Sequence, residues 1–140
     1  MISVYTDGSC LGNPGNGGWA FIAVGKKNIS FRTGFEKNTT NNRMELLAAI
    51  KALEYLEQYE NITINTDSNY VNQGITTWIF NWKKNNWKTS SKQSVKNKEL
   101  WKRLDELNQK KILIGVGSKH IISMNSIIKL MFLLEKQQIL

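Results

Sequence analysis

The sequence predicts an α/β fold in a single domain over residues 1–140: a five-stranded mixed sheet, three antiparallel strands and then parallel ones, flanked by helices. Three observations carry this. β-rich runs come first and are separated by tight turns. A long segment of helical periodicity follows the third run. A fourth β-rich run comes after that helix, and the crossover makes it parallel to the first.

Ile2–Thr6 reads as the first strand and breaks at Gly8, where turn chemistry from Gly8 to Gly18 takes over. Trp19–Val24 reads as the second strand, Gly25–Asn28 as a hairpin turn and Ile29–Phe35 as the third strand. Thr40, Asn41 and Asn42 offer N-caps to a helix from about Arg43 to Gln58, with Met44, Leu47, Ala48, Leu53 and Leu56 on its apolar positions. Ile62–Thr66 is the fourth strand. Ser68 and Asn69 cap a short helix that reaches about Gln73 and stops at Gly74. A helical and looped protrusion spans Thr76–Lys98, with Trp78 its expected core anchor. Asn97–Leu107 is a packing helix with Leu100, Trp101, Leu104 and Leu107 on one face, and Lys111–Gly115 is the last short strand.

Length and an apolar fraction of 41% suit one core that needs no staples. One cysteine, Cys10, excludes an internal disulfide and fits a reducing, cytoplasmic setting. The chain opens directly into a strand, so no secretory leader is expected, and Ile127–Leu134 is interrupted by Lys129 and too short to span a bilayer. Nineteen Lys and Arg against 11 Asp and Glu give a net charge of +8, which favours a polyanionic partner. A solvated cationic face is the plainer reading of that charge alone.

Two strands each deliver an Asp. Parallel neighbours would set Asp7 and Asp67 side by side at the strand ends where α/β sheets place ligands. Glu45, expected in the first turn of the crossover helix, would join them. A lone strand-end Asp usually starts a turn, and an acid in a first helical turn usually answers the helix dipole. Three such acids from three elements point instead to a metal site. In the protrusion, Trp78, Trp82 and Trp87 interleave with Lys83, Lys84, Lys88, Lys92, Lys96 and Lys98, a pattern suited to a nucleic-acid backbone or, more plainly, to core anchors on a helical hairpin.

Together, "YTDGSCLGNPGNGGWA", "TTNNRMELLAAIKALE", "INTDSNYVNQGITTWIFNWKKNNWKT" and "VKNKELWKRLDEL" resemble type I ribonuclease H, especially bacterial enzymes with the basic Trp-Lys protrusion. The resemblance covers residues 5 to about 107 in the family's order. It implies an endonuclease that hydrolyses the RNA strand of RNA–DNA hybrids, leaving 5′-phosphate and 3′-hydroxyl ends. It implies two Mg²⁺ ions, with Mn²⁺ a substitute, held by Asp7, Glu45 and Asp67. It places Asn13, Asn41 and Asn42 in the hybrid's minor groove and Thr40 and Asn97 at a DNA-strand phosphate. Gln73 lies near the RNA, and Trp82, Lys83, Lys84 and Lys88 grip the DNA backbone. A monomer with no obligate protein partner is the family's default.

The tail departs from the family. After the last strand the family has a pattern near "WVKGHSG" and then "NxxxDxLA", whose Asp is the fourth metal-site acid. Residues 115–140 match neither, although His120 falls about where the family's His does. The Asp belongs near Met131, and Glu135 is its nearest stand-in, more simply read as a surface residue. Codons permitted for Met124–Gln138, read two bases later, give Glu-Phe-Asn-Asn-Lys-Val-Asp-Val-Leu-Ala-Arg-Lys-Ala-Ala. That is the family's last helix nearly intact, and it points to a frameshift, as a real lesion or a sequencing error. Gly115–Ser123 is not restored in the same frame. As written, the tail makes hybrid binding with weakened or lost catalysis the alternative reading. It also makes Ile127–Leu134 an apolar band that lowers solubility.

Overall fold

The computed structural model describes residues 2–108 and the backbone of 112–116. His120, Met131, Glu135 and the apolar band of the tail lie outside the described residues. The strands are β1 (Ile2–Gly12), β2 (Gly15–Val24), β3 (Ile29–Thr39), β4 (Ile62–Thr66) and β5 (Ile112–Val116). They form one mixed sheet in the order β3-β2-β1-β4-β5. β1, β2 and β3 pair antiparallel, and β4 joins β1 in parallel. β1 to β4 are described with their side chains, whereas β5 is seen by its backbone, parallel to β4.

The first three strands run further than the sequence predicts. β1 does not break at Gly8 but continues to Gly12, and β2 begins at Gly15 rather than Trp19. The turn is thus confined to the residues around Asn13 and Pro14. Gly8 has a different purpose: a Cβ there would collide with the backbone of Met44 and Glu45. Glycine is placed where a helix must touch a strand, and the ladder runs on past it. Asp7 therefore lies inside a strand, opposite Ala20, and not at a strand end.

The helices are α1 (Asn41–Tyr55), α2 (Asn69–Gln73), α3 (Ile79–Lys84) and α4 (Lys98–Leu107). Thr40 caps α1, its hydroxyl accepting from the Arg43 N–H at 3.2 Å. Because α1 starts at Asn41, Glu45 falls in its second turn and not the first. The helix buries Met44, Leu46, Ala48, Ala49, Ile50, Ala52 and Leu53. This set is wider than one stripe, as befits a helix packed between the sheet and α4. The next helix, α2, ends at Gln73 with Gly74 at its C-cap, as expected, but Gly74 does not break the helical path. It adopts helical dihedrals and leads a π-helical turn, Gly74–Trp78, that joins α2 to α3. The reason is packing: the Trp101 ring lies where a Gly74 Cβ would be. Trp101 is fully buried, while Trp78, expected as the core anchor, is only partly so.

One core joins both layers. Val4, Phe21, Ile62 and Ile64 from the sheet meet Leu46, Ile50 and Leu53 of α1, with Trp101 and Leu104 of α4 behind them. Among the described residues, no helix is long and apolar enough to cross a membrane.

Candidate metal centre and nucleic-acid interface

The register of the parallel pair builds the centre of the site. Ile2 pairs with Ile62, and the match continues one for one to Tyr5 and Asn65. Extended by two residues, the same register sets Asp67 beside Asp7. Asn65 locks it by donating from Nδ2 to the Val4 carbonyl at 3.2 Å. After β4 the chain turns at once, with the Ser68 N–H donating to Thr66 Oγ1 and the Ser68 hydroxyl capping α2 through the Val71 N–H. Asp67 is left exposed at that corner. Glu45 arrives from α1 across the Gly8 contact.

Carboxylate oxygens of Asp7, Glu45 and Asp67 lie within 4.8 Å of one another. Asp7 is 3% exposed. The pKa of Glu45 is pushed up to about 9, first by burial and then by the charges of Asp7 and Asp67. A hydrogen bond with Asp7 adds to the rise, and one from the Gly8 N–H opposes it. Glu45 Oε2 is buried without a hydrogen-bond partner among the described residues. Three hard oxygen donors, mutually repelling and partly unsatisfied, fit a divalent cation such as Mg²⁺.

A second group of expected residues collects at the start of α1. Asn13 Oδ1 accepts from the Asn41 N–H at 3.2 Å, which seats the β1–β2 turn on the helix N-terminus beside Thr40. Asn41 and Asn42 are exposed there. Asn97 holds the cap position of α4 at φ 56°, and its Nδ2 donates to the Tyr70 hydroxyl at 3.1 Å. Trp101 Nε1 donates to the same hydroxyl at 3.0 Å.

Arg43 ties these parts together and was not among the expected site residues. Its Nε meets Glu36 of β3 at 2.6 Å, and Nη1 meets Glu99 of α4 at 2.7 Å. The signal was present in the sequence: a cation in the first turn of a helix opposes the dipole and needs acidic partners.

The protrusion divides. Trp82 is half-buried, its ring centroid 5.3 Å from that of Trp101, 5.9 Å from Trp78 and 6.3 Å from Trp87. It is a packing residue as much as a surface one. Lys83 is paired with Asp105 at 3.2 Å, while Lys84 and Lys88 are exposed. Gln73 is exposed at the end of α2.

Comparison with known proteins agrees with this arrangement. The family model described as RNase H matches residues 1–121. Ribonuclease H of Treponema denticola is 52% identical over 124 residues, covering 76% of this chain and 78% of that protein. Ribonuclease H of Erwinia tasmaniensis is 58% identical over 106 residues, covering 75% and 68%. Among solved structures, LC9-RNase H1, a type 1 RNase H with the type 2 active-site motif, is similar with a TM-score of 0.71 at 29% identity. That match covers 85% of this chain and 63% of the other, so the chain spans less than two thirds of LC9-RNase H1. LC11-RNase H1, solved in complex with an RNA/DNA hybrid, shares the fold at a TM-score of 0.62 and 21% identity, over 86% of this chain and 87% of that one.

Proposed function

Because this chain belongs to the ribonuclease H family, as a bacterial type I member and a hydrolase, we propose that it cuts the RNA strand of RNA–DNA hybrids. The observation that carries the reading is the convergence of Asp7, Glu45 and Asp67. On this reading residues 1–140 are one domain, working as a monomer in the cytoplasm without an obligate protein partner.

Asp7, Glu45 and Asp67 would hold two Mg²⁺ ions, with Mn²⁺ a substitute. Divalent cations supply an activated water and stabilise charge on the leaving oxygen. The chain's own residues supply position. Asn13, Asn41 and Asn42 face the minor groove, where 2′-hydroxyls distinguish RNA from DNA. Thr40 and Asn97, at the starts of α1 and α4, suit a phosphate of the DNA strand, since helix N-termini offer unpaired N–H groups. Gln73 lies toward the RNA. Lys84 and Lys88 contact the DNA backbone directly, with Lys83 and Trp82 shaping the surface beneath them. Water attacks phosphorus and the bond to the 3′-oxygen breaks, which leaves a 5′-phosphate and a 3′-hydroxyl. His120 is proposed to assist there.

The alternative, hybrid binding without catalysis, draws only on the tail and finds no support in the site, where the acids meet. The test is cleavage of a hybrid labelled in its RNA strand, with Mg²⁺ and Asp7→Asn as control. Cutting confined to RNA is expected. Asp7→Asn should lower it by more than the ~10–100-fold that loss of an outer-shell partner costs. Equal cutting by Asp7→Asn overturns the metal-site assignment. Intact binding with no cutting by the unaltered chain favours the alternative.

A further inference from the structure

The far end of the sheet carries an open cavity of about 670 Å³ that the hydrolytic reading does not use. It lies where β1 enters the sheet. Ile2 lines it, and Asp7 is five residues further on, about 16 Å of strand. The floor is apolar, from Ile2, Ala23 and Leu56. Two aromatic side chains, Tyr55 and Tyr59, line it and remain 37% and 45% exposed. The rim is the β2–β3 turn, closed by a Gly25 N–H to Asn28 carbonyl bond of 2.9 Å. That turn contributes Lys26 and Lys27, both exposed and neither in an ion pair among the described residues.

We propose that this cavity binds a nucleotide unit bearing a terminal phosphate, with the base against Tyr59, beside a Tyr55 ring already covered by the Arg32 guanidinium at 4.8 Å, and the phosphate on Lys26 and Lys27. The volume falls within the range of small-molecule sites. An apolar floor with aromatic walls favours a planar ring, and ring stacking tolerates any base. Two exposed ammonium groups with no ion pair among the described residues favour a phosphate over a neutral ligand. Among the described residues no carboxylate lines the cavity; Glu57 and Glu60 flank Tyr59 in sequence but are not part of its wall. The same chemistry is offered by a free nucleotide and by the 5′-phosphorylated end of a nucleic-acid strand.

The test is amide NMR on the full chain, without metal and with EDTA, titrated with AMP, adenosine, inorganic phosphate and a 5′-phosphorylated trinucleotide. Saturable shifts are expected at residues 25–28, Tyr55 and Tyr59. AMP should bind at least about tenfold more tightly than phosphate or adenosine. Lys26→Glu with Lys27→Glu should weaken AMP about tenfold, and Tyr59→Ala severalfold, at unchanged Tm and unchanged hybrid cleavage. Lys26→Gln with Lys27→Gln serves if the charge reversal disturbs the fold. A tighter trinucleotide identifies a strand end as the source, and equal or weaker binding identifies the free nucleotide. Phosphate alone binding as tightly as AMP overturns the proposal, as do shifts confined to the acidic centre. Hybrid cleavage is read separately, so loss of either reading leaves the other standing.

Discussion

Glu45 stands where burial and two neighbouring acids all oppose its charge. In the fold it keeps its proton up to about 9, whereas an ordinary glutamate loses it near 4.5. Between those values the folded state binds the extra proton. The associated stability is complete below the lower value and is lost as pH rises through the upper one. In EDTA the protein is therefore expected to be less stable at pH 8 than at pH 6. Glu45→Gln should flatten that difference and raise stability at pH 8, because the amide carries no proton to lose. Thermal melts of both proteins at the two pH values check this, and parallel pH curves would sink it. Gly8 is the other residue on which the centre depends. Gly8→Ala forces the Met44–Glu45 backbone off the strand, at an expected cost of about 1–3 kcal/mol. Denaturant unfolding gives that cost, and the cleavage rate should fall further than stability alone explains.

At the scale of elements, the continuous run from α2 through the π-helical turn into α3 rests on one ring. Trp101 fills the notch above Gly74, touches Trp82 and donates to Tyr70. Trp101→Ala should cost about 3–5 kcal/mol and loosen the protrusion with it; urea unfolding and near-ultraviolet circular dichroism test both effects. Here the reading from sequence was partly right. Strand identities, the antiparallel meander and the buried face of α4 were legible, because periodicity is local; Thr40 was one of three N-cap candidates, and the structure selects it. Asp7, Glu45 and Asp67 were legible because alternating strand and helix patterns dictate where they meet. What failed was the meaning of two glycines. Gly8 and Gly74 resemble breakers, yet each is small because another element presses on it, and nothing adjacent in sequence says so. Trp101 was legible as part of the packing face of α4, but its seat was not: the notch that receives it is made by Gly74, 27 positions away. Arg43 escaped notice because its partners, Glu36 and Glu99, lie on other elements.

For the whole molecule, the net charge of +8 makes hybrid affinity a matter of ionic strength. Each phosphate contact releases counterions, so the logarithm of affinity falls linearly with that of salt. Lys84→Ala and Lys88→Ala should each reduce that slope by about one, whereas Lys83→Ala, already paired with Asp105, should reduce it less. Fluorescence anisotropy with labelled hybrid over a range of salt measures all three, and equal slopes would place the lysines off the duplex.

β1 lies at the middle of the sheet, between a neighbour made immediately after it and one made some fifty residues later. During synthesis the hairpin side can form at once, but Asp7 waits for Asp67 until β4 has left the ribosome and closed a long loop. The acidic centre is therefore a record that the two ends of that loop have met. The connection between α1 and β4, around residues 56–61, is the natural place to divide the chain. Halves separated there would each lack a site, and their reunion would restore one, turning hydrolysis of a labelled hybrid into a readout of assembly.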